Sequence, residues 1–170
     1  MKAIVLAGDK QYLTPILTTI KSILYYNQQV KIYILHQNIP SDWFHEVKIQ
    51  VERLGSLVED IFIGDVIDPE WKTQAHISPI AYARYLIPRL ITEDRVVYLD
   101  SDIIVHGDLS PLFELDLGDY SLAAVRDADG NGFNSGMLVI DSQKWREKDV
   151  TSLLFDKTVE HMSYLEQTTT

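Results

Sequence analysis

Val96-Val97-Tyr98-Leu99-Asp100-Ser101-Asp102 drives four apolar residues straight into two carboxylates set two positions apart. β-branched and aromatic residues in an unbroken run predict a strand over Arg95–Leu99, covered on both faces as in a parallel sheet. Residues i and i+2 of an extended chain point to one side, so the two carboxylates can converge on one hard cation. They also fall just past the carboxyl end of the strand, where open α/β sheets place their ligands. Asp and Ser are equally good turn formers, and on this stretch alone a solvated turn stands beside the metal site.

Outward from that strand the chain alternates short apolar runs with amphipathic segments, the pattern of an α/β domain. Ala3–Ala7, Lys31–Leu35 and Val58–Ile63 read as further strands. Thr14 as N-cap and Pro15 at the first helical position open a helix with Ile16, Leu17, Ile20, Ile23 and Leu24 on one face. Ser41 caps a second helix, whose stripe is Trp43 or Phe44, Val47, Val51 and Leu54, stopped at Gly55. Asp65–Gln74 reads as a loop, Pro79 to Leu90 as a helix, Ile103–Val105 as a brief extension of the sheet, and Leu112–Leu115 as one helical turn. Ser121–Val125 and Met137–Asp141 read as strands around a loop, Arg126–Gly136. A helix with Trp145 in its core face follows from Ser142. No repeat or linker interrupts the series, so residues 1–170 are expected to form a single domain.

Composition narrows the function. Apolar residues make up 46% and charged residues 24% of the 170, ordinary for a globular domain. A formal charge of −10 disfavours nucleic acid and anionic lipid as partners, which want clustered Lys and Arg. A small anion bound through a divalent cation stays open. Cysteine is absent, which removes disulfides, thiolate metal sites and a cysteine nucleophile. No stretch approaches a membrane span, and the first apolar run stops at Gly8-Asp9-Lys10, short of a signal peptide. A cytoplasmic location is the expectation; oligomeric state is open, a homo-oligomer included.

Five blocks in order then resemble glycosyltransferase family 8, the retaining group that includes lipooligosaccharide galactosyltransferases and glycogenin. They are Ile4-Val-Leu-Ala-Gly-Asp-Lys-Gln-Tyr12, His76-Ile-Ser-Pro-Ile-Ala-Tyr-Ala-Arg-Tyr-Leu86, Val96–Val105, Gly107-Asp-Leu-Ser-Pro-Leu-Phe113, and Phe133-Asn-Ser-Gly-Met-Leu-Val-Ile-Asp141 with Trp145. A hydrophobic strand ending in Asp-x-Asp also resembles haloacid-dehalogenase-type phosphatases, but there the motif follows the first strand, and too little sequence follows it here. The family 8 resemblance implies a Rossmann-like, glycosyltransferase A-type α/β domain with a mixed, mostly parallel sheet. It implies transfer of glucose or galactose from a UDP-hexose to a glycan, lipid or protein acceptor, with Mn²⁺ or Mg²⁺ as cofactor.

Roles follow residue by residue from the same resemblance. Ala7 and Asp9 belong to the nucleotide turn, Asp9 on the uracil edge, and Tyr12 stacks on the ring; Asp9 alone is also a plain turn residue, and Tyr12 can pack under the first helix. Arg84 reaches the donor sugar or diphosphate, its alternative being a surface ion pair. Asp100 and Asp102 ligate the metal, and the Ser101 backbone contacts the ribose. Asp127 and Asn134 match positions that contact the transferred sugar, although with Asp129 they lie where a turn alone explains them. His76 falls where relatives touch the acceptor and suits a structural histidine as well.

The departures from the family are three. Lys10 and Gln11 stand where many relatives carry Asn or an acid, and Arg126–Phe133 is short for a flap over the donor. The Asp-Gln block and late metal histidine of the family are missing, and His161 does not replace them. The expectation is therefore a C-terminally truncated domain with little or no transfer by itself. The alternative is a non-catalytic UDP-sugar-binding module or partner subunit. No carboxylate nucleophile stands out beyond Asp127, so covalent and same-face routes both remain.

Overall fold

Apolar runs covered on both faces form the middle of a sheet, and a half-exposed run closes its edge. In the computed structural model, which describes residues 1–64, 66–67, 79–128 and 132–168 (side chains as far as 160), these runs are strands β1 (Lys2–Ala7), β2 (Val30–His36), β3 (Leu57–Phe62) and β4 (Arg95–Leu99). They pair in parallel, and β5 (Leu122–Arg126) and β6 (Phe133–Asp141) complete the order β3-β2-β1-β4-β6-β5. Only β6 runs against its neighbours. The sheet is mixed and mostly parallel, as expected.

Helices cover both faces. Ile4 and Leu6 of β1 point to one side, into a cluster with α1 (Leu13–Tyr26), α2 (Ser41–Glu52) and the segment from Val105 to Leu117. Ala3, Val5 and Ala7 point to the other, against a 3₁₀ helix (Pro79–Leu86), α3 (Ile87–Leu90), α5 (Ser142–Glu147) and α6 (Val150–Thr168). Each fully buried Ile or Leu contributes about 1.5–3 kcal/mol by leaving water, so the central strands anchor the molecule. Trp145 lies in the second cluster, its indole N–H donating to Thr151 Oγ1 at 2.9 Å. Among the described residues no helix is long and apolar enough to cross a membrane.

Several boundaries differ from the sequence reading, each for a local reason. α1 starts at Leu13 with Tyr12 as N-cap, so Pro15 sits at the third position, where a backbone N–H would still lack an intrahelical acceptor. Thr14 is therefore inside the helix. α2 starts at Ser41 itself, with Pro40 as N-cap and no side-chain cap. Phe44, not Trp43, fills the buried stripe with Val47 and Val51, and Leu54 lies beyond the helix end and exposed. Gly55 does stop the helix, at φ +73°.

Pro79–Leu86 winds as 3₁₀ before the single α turn of Ile87–Leu90. Ile103–Val105 is not a strand. Its backbone is claimed by side chains of α1: Thr19 Oγ1 donates to Ile103 O at 2.9 Å, and Val105 N donates to Ser22 Oγ at 2.9 Å. The short helical turn is α4, Ser110–Phe113, two residues earlier than Leu112–Leu115. The C-terminal helix is broken at Asp149, whose φ is +43°. β6 begins at Phe133, so Asn134 lies on a strand rather than in the loop assigned from sequence. Most of Asp65–Gln74, together with His76, Asp129 and the side chain of His161, lies outside the described residues.

Candidate functional site

At the carboxyl end of β1 and β4 the sheet opens into a cleft of about 550 Å³. β4 delivers Asp100 and Asp102, β1 delivers Ala7 and Gly8, the 3₁₀ helix delivers Arg84, and the reversed β6 brings Asn134 in from its first turn of chain. Of the residues expected at the site, Ala7, Tyr12, Arg84, Asp100, Ser101, Asp102, Asp127 and Asn134 line this one cavity. Asp9 does not. Its Oδ1 accepts from Gln11 N at 2.8 Å and forms a turn, while the adjoining Lys10 N donates to Asn38 Oδ1 at 2.9 Å. Tyr12 does two things at once: it lines the cleft and packs against the core under α1.

The acidic loop is hung from three elements. Ser101 is buried, and its hydroxyl donates to Ala7 O at 2.6 Å. The one hydroxyl proton of Thr19 on α1 is shared between Ser101 O at 2.8 Å and Ile103 O at 2.9 Å, and Asp100 N donates to Gly136 O of β6 at 2.7 Å. These bonds hold the backbone so that Asp102 projects, exposed, into the cleft. The Ser101 hydroxyl proton is thus committed to Ala7.

Arg84 pairs with an acid of the site rather than of the surface. Its Nη2 donates to Asp100 Oδ1 at 3.3 Å, Nη1 to Ser135 O at 2.6 Å and Nε to Ala81 O at 2.7 Å. The guanidinium lies 4.8 Å from the centre of the Tyr98 ring, a cation–π geometry. A guanidinium has five N–H donors, these bonds use three, and the other two are unpaired among the described residues. Tyr98 is buried, and its hydroxyl donates to the same Asp100 Oδ1 at 2.7 Å. Burial pushes that phenol far above its usual ionisation range, with the Arg84 charge opposing, so the proton stays on the donor.

Among the cleft residues given no role in the sequence reading, Tyr98 and Gly136 shape the acidic loop. Tyr98 was legible: a phenol two positions before a carboxylate on a strand points to the same side as that carboxylate. Gly136 was not. A Cβ there would lie 2.7 Å from Asp100 Oδ2 and 2.9 Å from Asn134 Oδ1, so only glycine leaves that carboxylate oxygen its space. Asn134 Oδ1 accepts from Gly136 N at 2.8 Å, and Asp127 Oδ1 from Ala128 N at 2.8 Å. The turn role foreseen for both therefore coexists with their place in the cleft.

Asp100 Oδ2 and the Asp102 carboxylate take no hydrogen bond among the described residues. They are hard oxygen donors held open to a cavity, the set that suits Mn²⁺ or Mg²⁺. The residues present fit such a cation as two of its ligands, and no group of three or more His, Asp or Glu gathers around a common point among the described residues.

A mixed sheet with its cleft at the switch between parallel and reversed strands is the A-type architecture of glycosyltransferases. The galactosyltransferase LgtC, solved with donor and acceptor sugar analogs, superposes with a TM-score of 0.82 at 27% identity, over 94% of this chain and 64% of that one. The crystal structure of GlyE from Streptococcus pneumoniae superposes at 0.81 with 41% identity, over 95% and 39%. The chain belongs to glycosyl transferase family 8, whose model matches residues 3–168. Glycosyltransferase GlyD of Streptococcus pneumoniae serotype 4 is 46% identical over 167 residues, and GlyE of the same organism 42% identical over 170 residues. The chain spans 20% and 42% of the length of these two relatives.

Proposed function

We propose that this domain binds a UDP-hexose in the cleft and serves its transfer, with retention, to a glycan, lipid or protein acceptor. The observation that carries the reading is the convergence of Asp100, Asp102, Arg84, Asp127 and Asn134 on one cavity, from four separate elements. A divalent cation held by Asp100 and Asp102 would supply positive charge to the diphosphate as it leaves. The remaining work falls to the chain. Tyr12 offers an aromatic face to the base, and Asp9, outside the cavity lining with one carboxylate oxygen in its own turn, would have to turn its other oxygen to the base edge. Arg84 turns its two unused N–H groups toward the diphosphate from a position fixed by Ala81, Ser135 and Asp100, so little reorganisation is needed as charge develops. Asp127 and Asn134 orient the hexose. Asp127 is also the carboxylate available to a covalent route, and same-face substitution needs none.

The test is calorimetric titration of UDP with and without Mn²⁺, on the parent and on Asp102→Asn. Tighter binding with Mn²⁺, lost in the variant, supports the reading. Equal binding in all cases ends it. A second reading, a UDP-sugar-binding module without turnover, is favoured by the pair of acidic ligands standing without a third among the described residues. Release of UDP from UDP-galactose or UDP-glucose in the presence of Mn²⁺ separates the two.

A further inference from the structure

We propose that Tyr98 is a positioning residue for the cation site: its hydroxyl locks the Asp100 carboxylate so that Oδ2 faces the cleft. This rests on the metal-dependent reading above. Asp100 sits at the end of β4 with two oxygens in unlike surroundings. Oδ1 accepts the Tyr98 hydroxyl at 2.7 Å and Arg84 Nη2 at 3.3 Å. Oδ2 accepts nothing among the described residues and adjoins the gap that Gly136 leaves. A carboxylate held through one oxygen by two donors cannot swing, and its other oxygen keeps one direction.

Of the two donors, the phenol is the stiffer. The Tyr98 ring is 1% exposed and wedged in the core cluster that includes Val5, Ala83 and Leu138. Its contact with Asp100 is also the shorter by the distances just given. Arg84 reaches the same oxygen at the end of a long side chain, and it rests on the Tyr98 ring at 4.8 Å. The ring therefore supports both charged groups of the site, the carboxylate through its hydroxyl and the guanidinium through its face. Tyr98→Phe removes the first support and keeps the second, which makes the two separable.

The experiment compares the Mn²⁺-dependent part of UDP affinity in the parent, Tyr98→Phe and Tyr33→Phe, with metal-free UDP affinity and thermal unfolding measured on each. Tyr33 is the control because its buried hydroxyl also donates to a carboxylate, Glu93 Oε1, at 2.7 Å but away from the cleft. Loss of an outer partner of a metal ligand typically weakens metal binding about 10- to 100-fold. Tyr98→Phe is expected to lose the Mn²⁺-dependent affinity on that scale with metal-free affinity unchanged, and Tyr33→Phe to lose neither. In an Asp100→Asn background Tyr98→Phe should have no further effect. A Tyr98→Phe chain that binds Mn²⁺ and UDP as tightly as the parent overturns the proposal, as does a loss matched in Tyr33→Phe. A Tyr98→Phe chain that no longer folds also overturns it, by assigning the hydroxyl to the core. A parent with no Mn²⁺ dependence at all removes the functional reading and this inference together, and is told apart by the parent alone.

Discussion

Tyr33 and Tyr98 flank Val5 in register on one face of the sheet and repeat the same trio at its opposite ends. Each phenol donates to a carboxylate at 2.7 Å, and each ring carries a cation, Lys31 at 4.7 Å or Arg84 at 4.8 Å. At the Tyr33 end, Lys31 is ion-paired with Glu59 at 2.8 Å, a bond that raises its pKa well above the usual lysine range. The second oxygen of Glu93 is buried there and takes no hydrogen bond among the described residues. At the Tyr98 end the second oxygen of Asp100 opens on the cleft. A tyrosine–carboxylate–cation trio is therefore not in itself a site. Access decides, and access comes from where the parallel strands end, where β6 reverses, and from a glycine.

The comparison can be broken from either end. Asp102→Asn should give the largest effect, a loss of Mn²⁺-dependent UDP affinity beyond the roughly 100-fold upper range for outer partners. Titration calorimetry checks it; Glu59→Gln, at the other end, should leave UDP binding unchanged. Gly136→Ala should come next, closing the space at Asp100 Oδ2 and costing about 1–3 kcal/mol as an overpacked site. Denaturant unfolding and UDP titration should both register it. Tyr33→Phe should cost about 1 kcal/mol by taking the hydroxyl from Glu93, with no change in UDP binding.

The smallest effect concerns His36, at the end of β2. It is buried between Phe44 and Phe62, with Nδ1 accepting from Ile39 N and Nε2 without a hydrogen-bond partner among the described residues. Burial lowers its pKa below the ordinary 6.5, against the opposing charge of Asp60. The unfolded chain then binds the proton more readily, so stability is complete above pH 6.5 and declines as pH falls through the lowered value. Thermal unfolding against pH should show that decline in the parent and a shallower one in His36→Phe.

Much of this was readable from the chain. β1, β2 and β4 show as apolar runs because burial on both faces leaves little room for polar alternation, the edge strand β3 carries Glu59 and Asp60 within it, and Arg95–Leu99 was bounded to the residue. The Ile103–Val105 segment was misread because its apolar residues follow a strand, while Thr19 and Ser22, eighty positions away, take its backbone bonds; no local pattern encodes that. Likewise Asp100 and Asp102 announce themselves as acids, and Gly136 announces nothing, since its importance is the volume of an atom it lacks. Six of the eight expected residues in the cleft sit at or next to strand ends on one side of the sheet, while Tyr12 enters from the N-cap of α1 and Arg84 from the 3₁₀ helix; Asp9 stands aside because its carboxylate closes its own turn.

The reversal of β6 has a consequence for how such a domain diversifies. Because β6 runs opposite to β4, the connection from β5 lies at the same end as Asp100, and Asp127 and Phe133 at its two shoulders both line the cleft. Residues can be inserted between those shoulders without shifting the register of any strand, since hairpin tips tolerate added length. A lineage can thus remodel what borders the cleft by lengthening one hairpin while the acidic loop, hung from Ala7, Thr19 and Gly136, is inherited unchanged.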